Sequence, residues 1–190
     1  MTRYIIMGAG GLAREVDMYF SQGHTMLIPK DREKDLSGLA GDGVEGVVAV
    51  GDPVLRKKLW NIMTGKGVSP ATLISHSFRY YSKYNFIDPG CVICPGAMIT
   101  IGIRLWHNVY ININATIGHD TTIGPHSIVN PGANIGGNVT IGEGVLIGAG
   151  AVIKQDLTIG DWARIGSGAN IVKDVPAGET WISPAARRMQ

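Results

Sequence analysis

The chain is short of most things that would simplify its reading. Its 190 residues include two cysteines, Cys91 and Cys94, too few for a disulfide framework. Phe, Trp and Tyr make up 7% of the chain, and charged residues only 17%, with a formal net charge of +2. No dense basic stripe appears, so nucleic acid is not expected as a partner. No apolar run is long enough to span a membrane as a helix, so no membrane partner is expected either. The apolar start Tyr4-Ile5-Ile6-Met7 runs into glycines without a signal-peptide layout, and the expected compartment is the cytoplasm.

Glycine, by contrast, is abundant at 27 residues, and its placement is regular. From Phe86 to Val175 the chain repeats every six residues without an insertion or deletion: FIDPGC VICPGA MITIGI RLWHNV YININA TIGHDT TIGPHS IVNPGA NIGGNV TIGEGV LIGAGA VIKQDL TIGDWA RIGSGA NIVKDV. The second place is Ile, Leu or Val in all fifteen blocks. A helix would place apolar residues every three to four positions and a flat strand every two. A period of six with one obligatory aliphatic means short strands joined at regular corners, the pattern of a hexapeptide β-helix.

The other columns agree. The sixth place is mostly small or aliphatic (Cys91, Ala97, Val109, Ala115, Ala133) and should face inward. The fifth is Gly, Asn or Asp in thirteen of fifteen blocks, the residues that best tolerate positive φ; His126 and Trp162 are the exceptions. Trp162 should therefore be strained, or the coil should bulge there. The fourth place is Pro at Pro89, Pro95, Pro125 and Pro131. Pro before a positive-φ residue suits a type II turn. Three blocks make a triangular coil, so fifteen make five coils, stacked about 4.8 Å apart into a prism roughly 24 Å tall. Cys91 and Cys94 read either as a redox or metal pair or as small residues in columns six and three of the repeat, and the columns favour the second.

Residues 1–72 do not repeat. Arg3–Met7 reads as a buried strand, followed by Gly8-Ala9-Gly10-Gly11-Leu12-Ala13 and a helix over Arg14–Ser21. Thr25–Ile28 and Val47–Val50 read as further strands, and Pro53–Thr64 as a helix with Pro at its first position and Asp52 as N-cap. Ala71–Ile74 would be a fourth strand leading into the coils. The expected fold is an α/β N-terminal half-Rossmann (βαβ) module followed by an all-β parallel β-helix of about five coils. The expected divisions are 1–72 for a nucleotide-sugar-binding module, 73–85 for a transition, 86–176 for the β-helix and 177–190 for a tail.

Gly8-x-Gly10-x-x-Ala13, between a strand and a helix, matches a phosphate-cradling loop. The module is too short for two mononucleotide halves, and Pro29-Lys30-Asp31 stands where a dinucleotide fold would end its second strand in an acidic residue. One nucleotide diphosphate suits it better, placed against Gly8, Ala9, Gly10, Gly11, Leu12 and Gly51 at strand ends. Asp31–Val44 reads as a mobile polar loop over that edge.

Five histidines occur. His24 and His76 have no partner pattern, and His107 and His119 fall in column four, an outward corner. His119 precedes Asp120. An imidazole can accept a proton near neutral pH, and an adjacent carboxylate can orient it. Asp120 is explained in part by the turn column. No metal is expected: the three-histidine zinc sites of some hexapeptide proteins use an HxxxxH spacing that this chain lacks, His119 and His126 being seven apart.

The GAGG-type loop, the AVGD-x3-RKK segment over Ala49–Lys58, ATLI before the coils, GHDTTIG, PGANIGGNVTIGEGVLIGAGAVI and the closing SPAARRM together resemble bacterial sugar acetyltransferases of the sialic acid O-acetyltransferase and bacillosamine or perosamine N-acetyltransferase type. The resemblance implies a left-handed winding, acetyl-CoA as co-substrate, a nucleotide-linked amino sugar as acceptor, and a homotrimer with sites between adjacent prisms. It also implies His119 as general base, Asp120 as its companion, and the Gly137 N–H as donor to the thioester carbonyl. Ala149 and Ser167 would lie along the pantetheine arm. Ile128 stands where some relatives carry a second histidine, and Ser183-Pro184 replaces a more usual Gly-x-Pro. The expected function is N-acetyl transfer to the sugar amine. Sugar O-acetylation and a non-catalytic hexapeptide scaffold are the alternatives.

Overall fold

A computed structural model describes residues 3–20, 25–28, 44–75, 79–80 and 84–184. His24, His76, Pro29-Lys30-Asp31, the polar loop 31–43 and the tail from 185 lie outside the described residues. Among the described residues, no helix is long and apolar enough to cross a membrane.

The front of the chain forms β1 (Arg3–Met7), α1 (Gly11–Phe20), β2 (Thr25–Ile28), β3 (Val44–Val48), α2 (Pro53–Gly65) and β4 (Ser69–Pro70). The four strands form one parallel sheet in the order β2-β1-β3-β4. α2 starts as its residues dictate: Pro53 occupies the first turn, and the Asp52 carboxylate accepts the Leu55 N–H at 2.9 Å. β3 begins three residues earlier than expected, because Gly46 lies inside the strand rather than breaking it. A Cβ on Gly46 would stand 2.6 Å from the Met63 sulfur, so the glycine lets α2 pack onto the sheet. The strand expected over Ala71–Ile74 is shorter, Leu73–Ile74, and opens the solenoid, while β4 just before it closes the front sheet.

The rest is a parallel β-solenoid. β5 (Leu73–Ile74) and β6 (Arg79–Tyr80) lead in. Two-residue strands then recur every six residues from β7 (Phe86–Ile87) to β21 (Asn170–Ile171), and β22 (Thr180–Trp181) closes the stack. They sort into three faces. The first, opened by β5, has seven strands, the second, opened by β6, has six, and the third, opened by β7, has five. This makes about six turns, one more than the repeat implies. The added strands fall outside the frame. Leu73 pairs with Val92 and Arg79 with Met98, nineteen residues apart, where the repeat keeps eighteen. At the far end Arg164 pairs with Thr180 after only sixteen. The same ladder therefore continues where the period is broken.

The second-place aliphatics and the sixth-place residues fill the interior in one cluster running from Cys91 to Val175. Two polar sixth-place residues are satisfied inside: Thr121 Oγ1 donates to the Gly136 carbonyl at 3.1 Å, and Ser127 Oγ donates to that of Gly142 at 2.8 Å. Fourteen of the fifteen fifth-place residues have φ between 55° and 80°, including Trp162 at 61°, so the coil keeps its path and Trp162 carries the strain. The front module packs on the outside of the first face, where Ala13 and Val16 of α1 join Val92, Cys94, Tyr110 and Ile128.

The third-place glycines were not singled out by the period. A Cβ on Gly124 would stand 2.5 Å from the Gly142 carbonyl carbon and oxygen, backbone atoms that cannot yield. Gly124→Ala should lose about 3 kcal/mol in chemical denaturation. Gly132→Ala, with φ 66° but open space around the added methyl, should lose about 1–2 kcal/mol. Equal losses would contradict the close-approach argument.

Candidate active site

Three corners separate the faces. His119 and Asp120 stand on the corner between the second and third faces, directly after Thr116–Ile117. Asp120 takes the positive-φ place at 57° and lies over Gly102 of the preceding coil, which has no side chain to obstruct it. Its carboxylate accepts from His119 Nδ1 at 2.9 Å. Both side chains are exposed, at 63% and 66%. The His119 carbonyl is held from the next coil by the Asn138 N–H at 2.6 Å.

Gly137 lies one coil above His119 on the same corner. A Cβ on Gly137 would stand 2.5–2.8 Å from Nε2, Cε1 and Cδ2 of the imidazole, so the ring rests against bare backbone. With Nδ1–H given to Asp120, Nε2 keeps its lone pair and can take a proton. The structure thus gathers His119, Asp120 and Gly137. It does not bring Ala149 and Ser167 to them within one chain: those two stack on the corner between the first and second faces, where the Gly168 N–H donates to the Ala149 carbonyl at 2.9 Å.

Gly8, Ala9, Gly10, Gly11 and Leu12 line a cavity of 470 Å³ together with the segment Ala49–Asp52 and Leu55. Every residue placed there from the sequence, Gly51 included, is brought to it. Gly8 has φ 132°, and a Cβ on it would meet the Ala49 carbonyl at 2.7 Å. Asp52 lines the cavity with its carboxyl held below the usual range, chiefly by the Leu55 N–H and also by Arg164, so it is ionised at neutral pH.

Several residues that matter were not legible from spacing. Arg56 of α2 is fully buried, donating through Nε to the Asn108 carbonyl at 2.7 Å and through Nη1 to the Val48 carbonyl at 2.5 Å. Burial lowers its pKa to about 10, so it remains a cation. His126 is 3% exposed, and its Nδ1 stands 2.9 Å from Asn108 Nδ2, which also reaches the Arg56 carbonyl and therefore acts as donor. Burial, and then the neighbouring His107, push His126 down to about 3. It is a neutral packing residue and not a second base. Ile128 is fully buried beneath the front module, which accounts for an apolar residue at that position. Cys91 faces the solenoid interior and Cys94 the front module, so the two thiols lie on opposite sides of one strand. Burial pushes them up to about 12 and about 11.

The family described as bacterial transferase hexapeptide (six repeats) matches residues 138–173. No curated protein matches the chain in sequence. Solved structures match over nearly its whole length. A perosamine N-acetyltransferase variant from Caulobacter crescentus, in complex with CoA and GDP-perosamine, is 25% identical with a TM-score of 0.90, covering 96% of this chain and 94% of that one. The acetyltransferase domain of PglB from Neisseria gonorrhoeae FA1090, in complex with acetyl coenzyme A, is 27% identical with a TM-score of 0.86, covering 100% of both. WeeI from Acinetobacter baumannii AYE is 26% identical with a TM-score of 0.85, covering 98% of this chain and 99% of its own. Residues 138–173 thus match transferase hexapeptide repeats, and nearly the whole chain is similar to a perosamine N-acetyltransferase and to an acetyltransferase domain.

The buried His126 has a consequence for stability. Its folded pKa of about 3 lies below the ordinary value of 6.5, so between these limits the unfolded chain binds the proton and the folded one does not. Stability is therefore held above pH 6.5 and falls as pH drops toward 3, by up to about 1.4 kcal/mol per pH unit from this group. His126→Asn, which keeps a residue tolerant of positive φ, should flatten that part of the curve of melting temperature against pH. An unchanged slope would exclude His126 as its source.

Proposed function

We propose that this protein transfers the acetyl group of acetyl-CoA to the amino group of a nucleotide-linked amino sugar, with His119 as general base. The observation that carries this reading is the His119–Asp120 hydrogen bond of 2.9 Å on an exposed corner, with the imidazole seated against Gly137. The end-to-end likeness to acetyltransferases, one bound to acetyl coenzyme A and one to CoA and GDP-perosamine, supports the reaction class and both substrates. The cavity at Gly8–Leu12 and Gly51 supports a half-Rossmann nucleotide site in the front module.

Acetyl-CoA supplies an activated thioester carbonyl and a thiolate leaving group. The acceptor amine forms the new C–N bond, and its proton passes to His119 Nε2. Asp120, accepting from Nδ1–H, holds the tautomer that makes this possible and stabilises the imidazolium that results. The Gly137 amide donates to the oxygen on which negative charge develops. The tetrahedral intermediate then collapses to the amide, the C–S bond breaks, and His119 delivers the proton to the departing CoA sulfur. Neither cysteine serves as a nucleophile: both are buried, with thiols pushed up to about 12 and about 11.

The topology supports a site shared between copies. The front module covers the first face, while His119 stands on the corner opposite that face. A sugar held in the cavity of one chain is thus presented to His119 of a neighbour, in a homotrimer with Ala149 and Ser167 of an adjacent corner along the pantetheine arm. A cytoplasmic setting, where acetyl-CoA is made, fits this arrangement.

The test supplies acetyl-CoA with a panel of nucleotide-linked amino sugars and follows thiol release and product mass. His119→Ala should lower kcat by about 10²–10⁴-fold with the assembled mass unchanged. Gly137→Ala should also slow turnover, because its methyl displaces the ring. A full-rate His119→Ala protein would remove the base assignment. An alkali-labile ester product instead of an amide would favour the O-acetyl alternative, and absence of any CoA binding would favour the scaffold.

A further inference from the structure

The cavity wall formed by Ala49, Val50 and Gly51 is held at both ends by guanidinium groups tied to the solenoid. On one side, the Val48 carbonyl accepts from Arg56 Nη1 at 2.5 Å, and the same guanidinium donates through Nε to the Asn108 carbonyl of the solenoid at 2.7 Å. On the other side, Asp52 Oδ2 accepts from Arg164 Nη2 at 3.1 Å, and Arg164 belongs to the solenoid strand Arg164–Ile165. The two anchors lie on different coils. Asn108 and Arg164 are 56 residues apart, about three coils. Between these levels α2 makes the Lys57–Glu143 ion pair at 2.6 Å, and at the Asn108 level Trp60 stacks on His107 at 5.4 Å.

Arg164 sits in column one of its block, in line with Tyr110, Ile128 and Leu146 on the first face. Those three are apolar or aromatic and pack under the front module. Arg164 breaks the series at the level where Asp52 arrives. The apolar packing would hold the module to the face without it. What Arg164 adds is direction, because an ion pair fixes one end of a five-residue segment to a point, and an apolar contact tolerates sliding.

We propose that Arg164 and Arg56 are positioning residues that hold the wall 49–51 at a fixed place on the solenoid. They thereby set where the amine of a cavity-bound acceptor stands at the acetyl-transfer site. This rests on the function proposed above. Neither residue touches the reacting atoms. Their effect is on alignment, to which transfer rates are sensitive: a displacement of about 1 Å can cost about a hundredfold.

Arg164 provides the test, because it is half exposed, its ion pair contributes little to stability, and its removal leaves the fold intact. In Arg164→Gln, kcat for a nucleotide-linked amino sugar should fall about tenfold with KM within about twofold, while acetylation of the free amino sugar, which lacks the nucleotide, should be unchanged. Arg164→Lys should recover most of the loss. Equal losses with both acceptors, a rise in KM alone, or no change would each overturn the proposal. Should the unaltered protein acetylate neither acceptor, the functional reading fails first, and amide hydrogen exchange then decides the positioning claim by itself. Faster exchange at Val50 and Gly51 in Arg164→Gln would uphold it, and unchanged exchange would overturn it.

Discussion

Each coil of the solenoid hydrogen-bonds to the coil eighteen residues further on, and that register decides what can touch what. Tyr110 pairs with Val92 and Ile128, and Ile128 with Leu146, without a slip between Val92 and Ile165. A parallel ladder of two-residue strands has few bonds per strand, so its accuracy comes from repetition. The fifth-place residues make repetition possible: fourteen of the fifteen turn the chain at positive φ and deliver the next strand at the same height. The cost of that conformation is small for Gly, Asn and Asp and larger for a bulky residue such as Trp162, and both His126 and Trp162 make contacts from that place. His126 packs against Asn108, and Trp162 lies under the Lys57 ammonium at 5.3 Å from the ring centroid.

The candidate base is a product of the same register. His119 can lie against the coil above because the residue eighteen further on is Gly137, and Asp120 can lie over the coil below because the residue eighteen earlier is Gly102. Neither glycine is demanded by a local turn alone. At Gly102 the φ of 72° and the space for Asp120 coincide, whereas Gly137 sits in the fourth place and has no positive φ to explain it. Its smallness serves the ring that rests on it. The dyad is thus set by four residues on three successive coils, although only two are adjacent in sequence.

Much of this was legible before the structure. Column periodicity identified the inward residues, the turns and the separate status of His119, and the strand–glycine–helix order located the cavity at Gly8–Leu12 and Gly51. What escaped has physical causes. The sixth turn was hidden because one extra residue between Tyr80 and Phe86, and two fewer before Thr180, break the frame while the hydrogen-bond ladder continues. Gly46 concealed the start of β3 because a glycine in a strand resembles a loop until its helix neighbour is seen. Arg56 was visible only as the first residue of a basic run on a helix. Nothing in one dimension separates it from half-buried Lys57 and exposed Lys58, since its burial depends on a carbonyl 52 residues away. The grouping of Ala149 and Ser167 away from His119 is likewise a statement about corners, which follows from the repeat only once residues are counted around the prism.

That corner geometry also bears on why the module is fixed so firmly. α2 runs beside the corner of Gly90, Asn108, His126, Gly144 and Trp162, with Trp60 against Gly90 at one end and Asp52 at Arg164 near the other. A hinge would need few contacts between the two parts, yet here a buried cation, two ion pairs and an aromatic stack span four coils. Arg56 in particular has no carboxylate in its hydrogen bonds, only a carbonyl from each side: its bond to Val48 stays within the module, and its bond to Asn108 ties the module to the solenoid. If the acceptor reaches the base of a neighbouring copy, the distance it spans is set by two rigid pieces: the module on its own prism, and that prism against the next. In that arrangement, with the module fixed on its own prism, the contact between prisms sets the remaining distance.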